Sequence, residues 1–175
     1  MNILLLGPPN DSMISFLNSR GEKCFSCEEK ILVTSGILDE VDFIISYGYR
    51  HIIDREVIKR FHKKIINLHI SYLPWNRGAD PNLWSHLGDT LKGVSIHFVD
   101  EGIDTGDLIV QQRIESKSDD TLRSSYNCLV EAVEKLFMKE WPEICSGQRG
   151  GKPQSGKGNY HRRVDLKTVK HLLAQ

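Results

Sequence analysis

KKIINLHISYLPWNRG, residues 63–78, is the stretch on which the reading of the fold turns. Its first half, 63–70, carries Ile65, Ile66, Leu68 and Ile70 and fits a buried strand. On a strand, side chains alternate between faces, so Asn67, His69 and Ser71 share one face while Leu68 and Ile70 share the other. Five residues thus bring an amide, an imidazole and a hydroxyl to one patch. Pro74 and Gly78 then break the run. An ordinary core strand has little use for such a row of polar groups, because each must find a partner away from water.

Working outward, NILLL (2–6) reads as a second buried strand, ended by Gly7-Pro8-Pro9. Asp11 is placed to cap a helix through Arg20, with Met13, Ile14, Phe16 and Leu17 inward. Lys23–Ser26 and Val41–Ile45 are further strands, and 54–62 a helical turn carrying Val57, Ile58 and Phe61. GVSIHFVD (93–100) and DLIVQQRI (107–114) form a pair joined by EGIDTG. Helical spacing of apolar residues runs from Asp119 to Glu140, with Asp119 or Asp120 as its cap and Pro142 starting or interrupting a last turn. The Gly/Ser/Lys-dense stretch 146–160 reads as a loop or flexible linker, and 165–175 as a short amphipathic helix. Strands interleaved with helices predict an α/β fold. It is expected as a Rossmann-like open twisted sheet, mainly parallel, with an antiparallel C-terminal hairpin and helices on both faces. Residues 1–145 are expected to form the catalytic domain, with 146–175 packing on it.

The 175 residues suit one domain, and 39% hydrophobic with 26% charged residues is a globular balance. The formal net charge of +0 lacks the basic surplus of nucleic-acid-binding domains. No apolar run nears the roughly eighteen residues of a membrane helix. MNILLLGPPN lacks the charged leader and long apolar segment of a secretory signal. The expectation is a cytoplasmic protein with no nucleic-acid and no membrane partner. Cys24, Cys27, Cys128 and Cys145 are then reduced thiols, and Cys24-x-x-Cys27 has no second pair at zinc spacing.

In an open α/β sheet, ligands bind beyond the carboxyl ends of the strands, at a switch in strand order. Three polar segments arrive there: Asn67–Ser71, the acidic turn Glu101–Asp107, and Tyr47-Gly48-Tyr49-Arg50-His51. Taken singly, each has an ordinary explanation. Asn67 could bond a loop, His69 could be a satisfied interior histidine, and Asp104 a turn former. Other constellations fail. There is no G-x-S-x-G, and the prolines after Gly7 remove donors a phosphate loop needs. His62, His69, His86 and His97 lack zinc-protease spacing. Lys152, Lys157, Arg162 and Arg163 could meet an anionic substrate or be a solvated tail.

Asn67-Leu68-His69-Ile70-Ser71-Tyr72-Leu73-Pro74, followed by Arg77-Gly78, resembles the N-x-H-x-S-L-L-P…R-G motif of the folate-dependent formyltransferases. That family spans glycinamide ribonucleotide, methionyl-tRNA and sugar N-formyltransferases. His97 through Ile109 is similar to the family's acidic segment, Tyr47–Ile53 to its loop over the pterin, and 158–166 to an element near the end of its catalytic domain. Tyr72 departs from the usual leucine, and Gly7-Pro8-Pro9 from the usual glycine-rich first turn.

The resemblance implies a catalytic trio of Asn67, His69 and Asp104. It implies a folate pocket from Arg50, His51, Ile52 and Ile53 on one side and Asp100, Glu101, Gly102 and Ile103 on the other. It places Ser71, Tyr72, Arg77 and Gly78 toward the acceptor. The formyl donor would be N10-formyltetrahydrofolate, with no metal. The acceptor would be a small-molecule amine, by exclusion a nucleotide-linked amino sugar. A transfer-RNA acceptor calls for an extra domain and a basic face. Asn67 can donate to the oxyanion, His69 can stabilise it and move a proton, and Asp104 is expected to orient His69 and raise its pKa. A formyltetrahydrofolate hydrolase, a folate binder without chemistry and a subunit of a larger assembly stay open, as does a homodimer.

Overall fold

The structure is a computed structural model that describes residues 1–169 and 171. The chain runs β1 (Asn2–Leu6), α1 (Asp11–Ser19), β2 (Lys23–Cys27), β3 (Phe43–Ser46), α2 (Arg55–Arg60), β4 (Ile65–His69) and β5 (Arg77–Gly78). It continues through α3 (Pro81–Leu87), β6 (Gly93–Phe98), β7 (Leu108–Arg113), α4 (Leu122–Cys145), β8 (Tyr160–His161) and α5 (Leu166–Val169). Six strands make one sheet in the order β2-β1-β3-β4-β6-β7, and β5 with β8 makes a second, two-stranded one. The pairs among β2, β1, β3 and β4 are parallel. β6 alone is reversed, pairing antiparallel with both β4 and β7. The expected α/β sheet with its antiparallel hairpin is thus present.

Two apolar layers hold the sheet, as alternation dictates. On one face Ile3, Leu5, Ile66, Leu68, Val94 and Ile96 pack against Met13 and Leu17 of α1 and Leu129, Val133, Phe137 and Trp141 of α4. On the other, Leu4, Leu6, Ile44 and Ile65 meet Leu38, Val57 and Phe61. Full burial of one such side chain is worth about 1.5–3 kcal/mol. Asn67 and His69 continue the face of Ile65, at the end of β4 where aliphatic packing stops.

The helix starts differ from expectation by one or two residues. Asn10, not Asp11, caps α1, its side chain accepting from Met13 N at 2.9 Å. Thr121, not Asp119 or Asp120, caps α4 in a reciprocal box with Ser124. Asp120 instead closes the preceding turn by accepting from Lys117 N. α4 carries through Pro142 to Cys145. The helix expected over 165–175 is a 3-10 turn at Arg163–Asp165 followed by α5, and its remainder apart from His171 lies outside the described residues. β5, α3 and β8 were not expected. Among the described residues, no helix is long and apolar enough to cross a membrane.

Candidate active site

β1 is flanked by β2 on one side and β3 on the other, so strand order switches between β1 and β3. The loops leaving β1, β3 and β4 open at that end into a cavity of about 1130 Å³. Gly7, at φ +128, makes the approach of the first two loops possible, because a Cβ there would run into the Tyr47 carbonyl.

At the cavity floor β4 supplies Asn67 and His69, and the β6–β7 turn supplies Asp104. The Asp104 carboxylate is gripped from two sides. Asn67 Nδ2 donates to Oδ1 at 3.0 Å and the Gly78 backbone N–H to Oδ2 at 2.8 Å. His69 Nδ1 lies 3.7 Å from Oδ2. The three expected groups therefore converge. A fourth joins them: the sheet register sets His97 directly opposite Asn67, its Nε2 3.2 Å from Asn67 Nδ2 and 3.4 Å from Asp104 Oδ1. His97 Nδ1–H donates to the Phe98 carbonyl at 2.8 Å, which in the neutral ring leaves Nε2 to accept from Asn67. The signal for His97 was present in the alternation of 93–98, but only cross-strand register identifies its partner.

Burial pushes Asp104 up, but the cationic forms of the His69 and His97 rings and the Gly78 amide outweigh it and hold the carboxyl well below the usual range. Burial pulls His69 below its ordinary value, against the raising effect of Asp104 and with help from His97. The expected rise of His69 is thus corrected: the Asp104 contribution has that sign, and desolvation exceeds it. The resting ring is neutral, its Nε2–H donating to the Asn76 carbonyl at 3.2 Å. Nδ1 then faces a carboxylate, ready to take a proton.

The expected folate residues all line the cavity: Arg50, His51, Ile52 and Ile53 on one wall, Asp100, Glu101, Gly102 and Ile103 on the other. Ile53 is anchored in the core while Ile52 is 71% exposed, a large apolar side chain held out into the cleft. Asp100 Oδ1 accepts from Gly102 N at 3.1 Å and Thr105 Oγ1 at 2.7 Å, which shapes the acidic turn. Glu101 is tied to Arg55 at 2.6 Å.

Of the four residues assigned to the acceptor, only Gly78 lines the cavity. Ser71 Oγ donates to the Trp75 carbonyl at 2.7 Å, Tyr72 packs over Gly93, and Arg77 donates to Gln154. Ser71 thus serves the turn that follows β4, and Arg77 ties that segment to residue 154. Arg162 and Arg163 stand on the wall, joined by Arg123 of α4, whereas Lys152 and Lys157 do not. Glu134, on the same helix as Arg123, accepts on one oxygen from Asn10 Nδ2 at 2.7 Å and Tyr47 OH at 3.1 Å. Burial and the Glu134 charge raise the Tyr47 phenol, so it stays a donor. Cys24 and Cys27 join the apolar layers on opposite faces of the sheet and do not form a pair, and burial pushes the Cys24 thiol up to about 11.

The family model described as formyl transferase matches residues 27–140. The formyltransferase PseJ of Anoxybacillus kamchatkensis, solved with UDP-4,6-dideoxy-4-formamido-L-AltNAc and tetrahydrofolate, is 48% identical. The match covers 100% of this chain and 93% of that one, with a TM-score of 0.97. A 4-N formyltransferase of Francisella tularensis, 21% identical over 96% of this chain and 78% of its own, shares the fold with a TM-score of 0.82. Methionyl-tRNA formyltransferase of Clostridium botulinum is 32% identical over 75% of this chain and 42% of its own length. This chain thus spans less than half of the curated relatives it matches.

Proposed function

The chain belongs to the formyl transferase family, and on that premise we propose that it moves a formyl group from N10-formyltetrahydrofolate to the amine of a nucleotide-linked amino sugar. The observation that carries the reading is the meeting of Asn67, His69 and Asp104 at the floor of one large cleft. Single-ligand clefts measure roughly 300–1,000 Å³. At about 1130 Å³ this one has room for two substrates.

The residues fit the two molecules. The exposed Ile52, buried Ile53 and the turn at Asp100–Ile103 offer a pterin an apolar wall facing backbone polar groups. Arg123, Arg162 and Arg163 with the half-exposed rings of Tyr126 and Tyr160 suit a diphosphate and a base. The relative of 48% identity holds a UDP-sugar and tetrahydrofolate together.

The chemistry follows from the charges. Attack of the amine on the formyl carbon builds negative charge on the formyl oxygen. The Asn67 N–H now facing His97 at 3.2 Å turns to that oxygen, giving up a long bond. Such a donor is worth about 3–4 kcal/mol in a dry site. His69 receives the proton that the amine sheds and delivers it toward the departing folate nitrogen. Asp104, ionised throughout, stabilises the imidazolium while it exists.

The test is incubation with N10-formyltetrahydrofolate and a panel of nucleotide-linked amino sugars, with methionyl-tRNA as competing acceptor. One sugar is expected to give a formylated product, seen by mass spectrometry, with matching tetrahydrofolate release. Rapid formate release without any amine would identify a hydrolase instead, and transfer to methionyl-tRNA alone would replace the acceptor.

A further inference from the structure

Residues 150–161 lie mostly exposed, yet both ends are tied down. Lys152 exchanges two backbone hydrogen bonds of 2.8 Å with Leu108, and β8 pairs with β5. Between these anchors Gln154 turns inward while Pro153 and Ser155 face solvent. Its Oε1 accepts from Arg77 Nε at 3.1 Å and Nη2 at 2.7 Å. Its Nε2 donates to the carbonyls of Asp104 at 2.8 Å and Gly106 at 2.9 Å. Guanidinium only donates and carbonyls only accept, so the amide has one orientation and its four hydrogen-bonding positions are filled.

The two segments joined by this amide both bear on the Asp104 carboxylate, whose other oxygen Asn67 holds. Asp104 belongs to one, and the other carries Gly78, next to Arg77, whose N–H holds Oδ2. Asp104 has φ +52, a left-handed backbone that a side-chain-bearing residue keeps only when its surroundings impose it. The two Gln154 donor bonds fall on the carbonyls at and just after that strained residue.

We propose that Gln154 is a positioning residue of the transfer site: it locks the Asp104 turn to the Arg77–Gly78 segment and so sets the direction of the carboxylate toward His69. The effect on rate rests on the formyl-transfer reading, whereas the effect on His69 does not. Misplacement of a reacting group by about 1 Å costs on the order of a hundredfold in rate.

The experiment uses the full chain with Gln154→Ala and Gln154→Glu. Glu keeps the Arg77 contact but turns an oxygen toward the two carbonyls. Two quantities are read: kcat and KM for both substrates, and the His69 titration midpoint by NMR, assigned with His69→Ala. Both variants are expected to lose roughly ten- to a hundredfold in kcat with little change in either KM. The His69 midpoint is expected to fall further below its ordinary value, because the raising effect of Asp104 weakens. If Ala fails to fold, Glu supplies the result, since its ion pair with Arg77 keeps residue 154 anchored while the Asp104 turn alone is released. An unmoved His69 midpoint in either folded variant overturns the proposal, whether or not kcat falls. A wild-type chain without transfer activity would end the functional reading and leave the midpoint to decide this one.

Discussion

Asp104→Asn changes one atom, and the structure states what that atom does. Asn67 Nδ2 and Gly78 N each donate to a separate oxygen of the carboxylate. An amide offers one oxygen, so one buried donor must face an NH₂ group, a loss of about 1–3 kcal/mol. Relief from burying a charge offsets part of it, and the variant is expected to fold. The larger effect falls on catalysis. At 3.7 Å and an effective dielectric of about 20, a carboxylate stabilises a full charge on His69 by roughly 4.5 kcal/mol. A proton only partly transferred at the transition state draws about 3 kcal/mol of this, on the order of a hundredfold in kcat. The assay is steady-state release of tetrahydrofolate with the acceptor found by the screen, together with calorimetric binding of the formyl donor. Expected are a kcat lowered by about that factor, donor binding within a few-fold of wild type, and a lower His69 titration midpoint. A variant with kcat within a factor of about three of wild type would refute the assignment of Asp104 as the partner of the His69 cation.

Asn67→Ala is expected to lower kcat by at least about 10²–10³ with donor affinity retained, measured in the same assays, because the oxyanion donor is removed and Asp104 Oδ1 loses its Asn67 contact as well. Stability is expected to fall toward acid in two steps, followed by thermal melting across pH. Folded His69 holds its proton less tightly than the unfolded chain, so its contribution is lost as pH drops below its ordinary 6.5. The depressed Asp104 contributes above its ordinary 3.8 and is lost below it, and this second loss is expected to be absent in Asp104→Asn. Arg123→Ala and Arg163→Ala are each expected to raise the acceptor KM by roughly tenfold, more weakly at high salt, with kcat at saturation unchanged.

The legible parts of this protein are local. Alternation at 65–69 put Asn67 and His69 on one face, and the aliphatic run of β1 fixed the buried sheet. Asp104 was legible only through resemblance, since nothing in EGIDTG itself separates a catalytic carboxylate from a turn former. His97 escaped because its meaning depends on lying opposite Asn67, a pairing thirty residues apart in sequence that no periodicity encodes. β5 and β8 are two residues each, too short to leave a pattern. The resemblance places Ser71, Tyr72 and Arg77 toward the acceptor by motif alone, whereas the chain turns after β4, Ser71 closing that turn and Arg77 holding Gln154. Gln154 is an inward residue in a stretch whose composition reads as linker, and a single hydrogen-bonding side chain carries no compositional trace.

The reversed strand β6 imposes a rule on lineages and on engineers. Its only irregularity, between Ile96 and His97, lies on the β7 side, while its pairing with β4 runs in register from Ser95 to Phe98. Losing or gaining one residue within 93–96 would present Ile96 or Phe98 to Asn67 and rotate the imidazole to the opposite side of the sheet. Its side chains are constrained as well, with Val94, Ser95, Ile96 and His97 buried, but its length is constrained first; insertions and deletions in descendants of this chain should accumulate beyond β7 and leave the six positions of Gly93–Phe98 uncut.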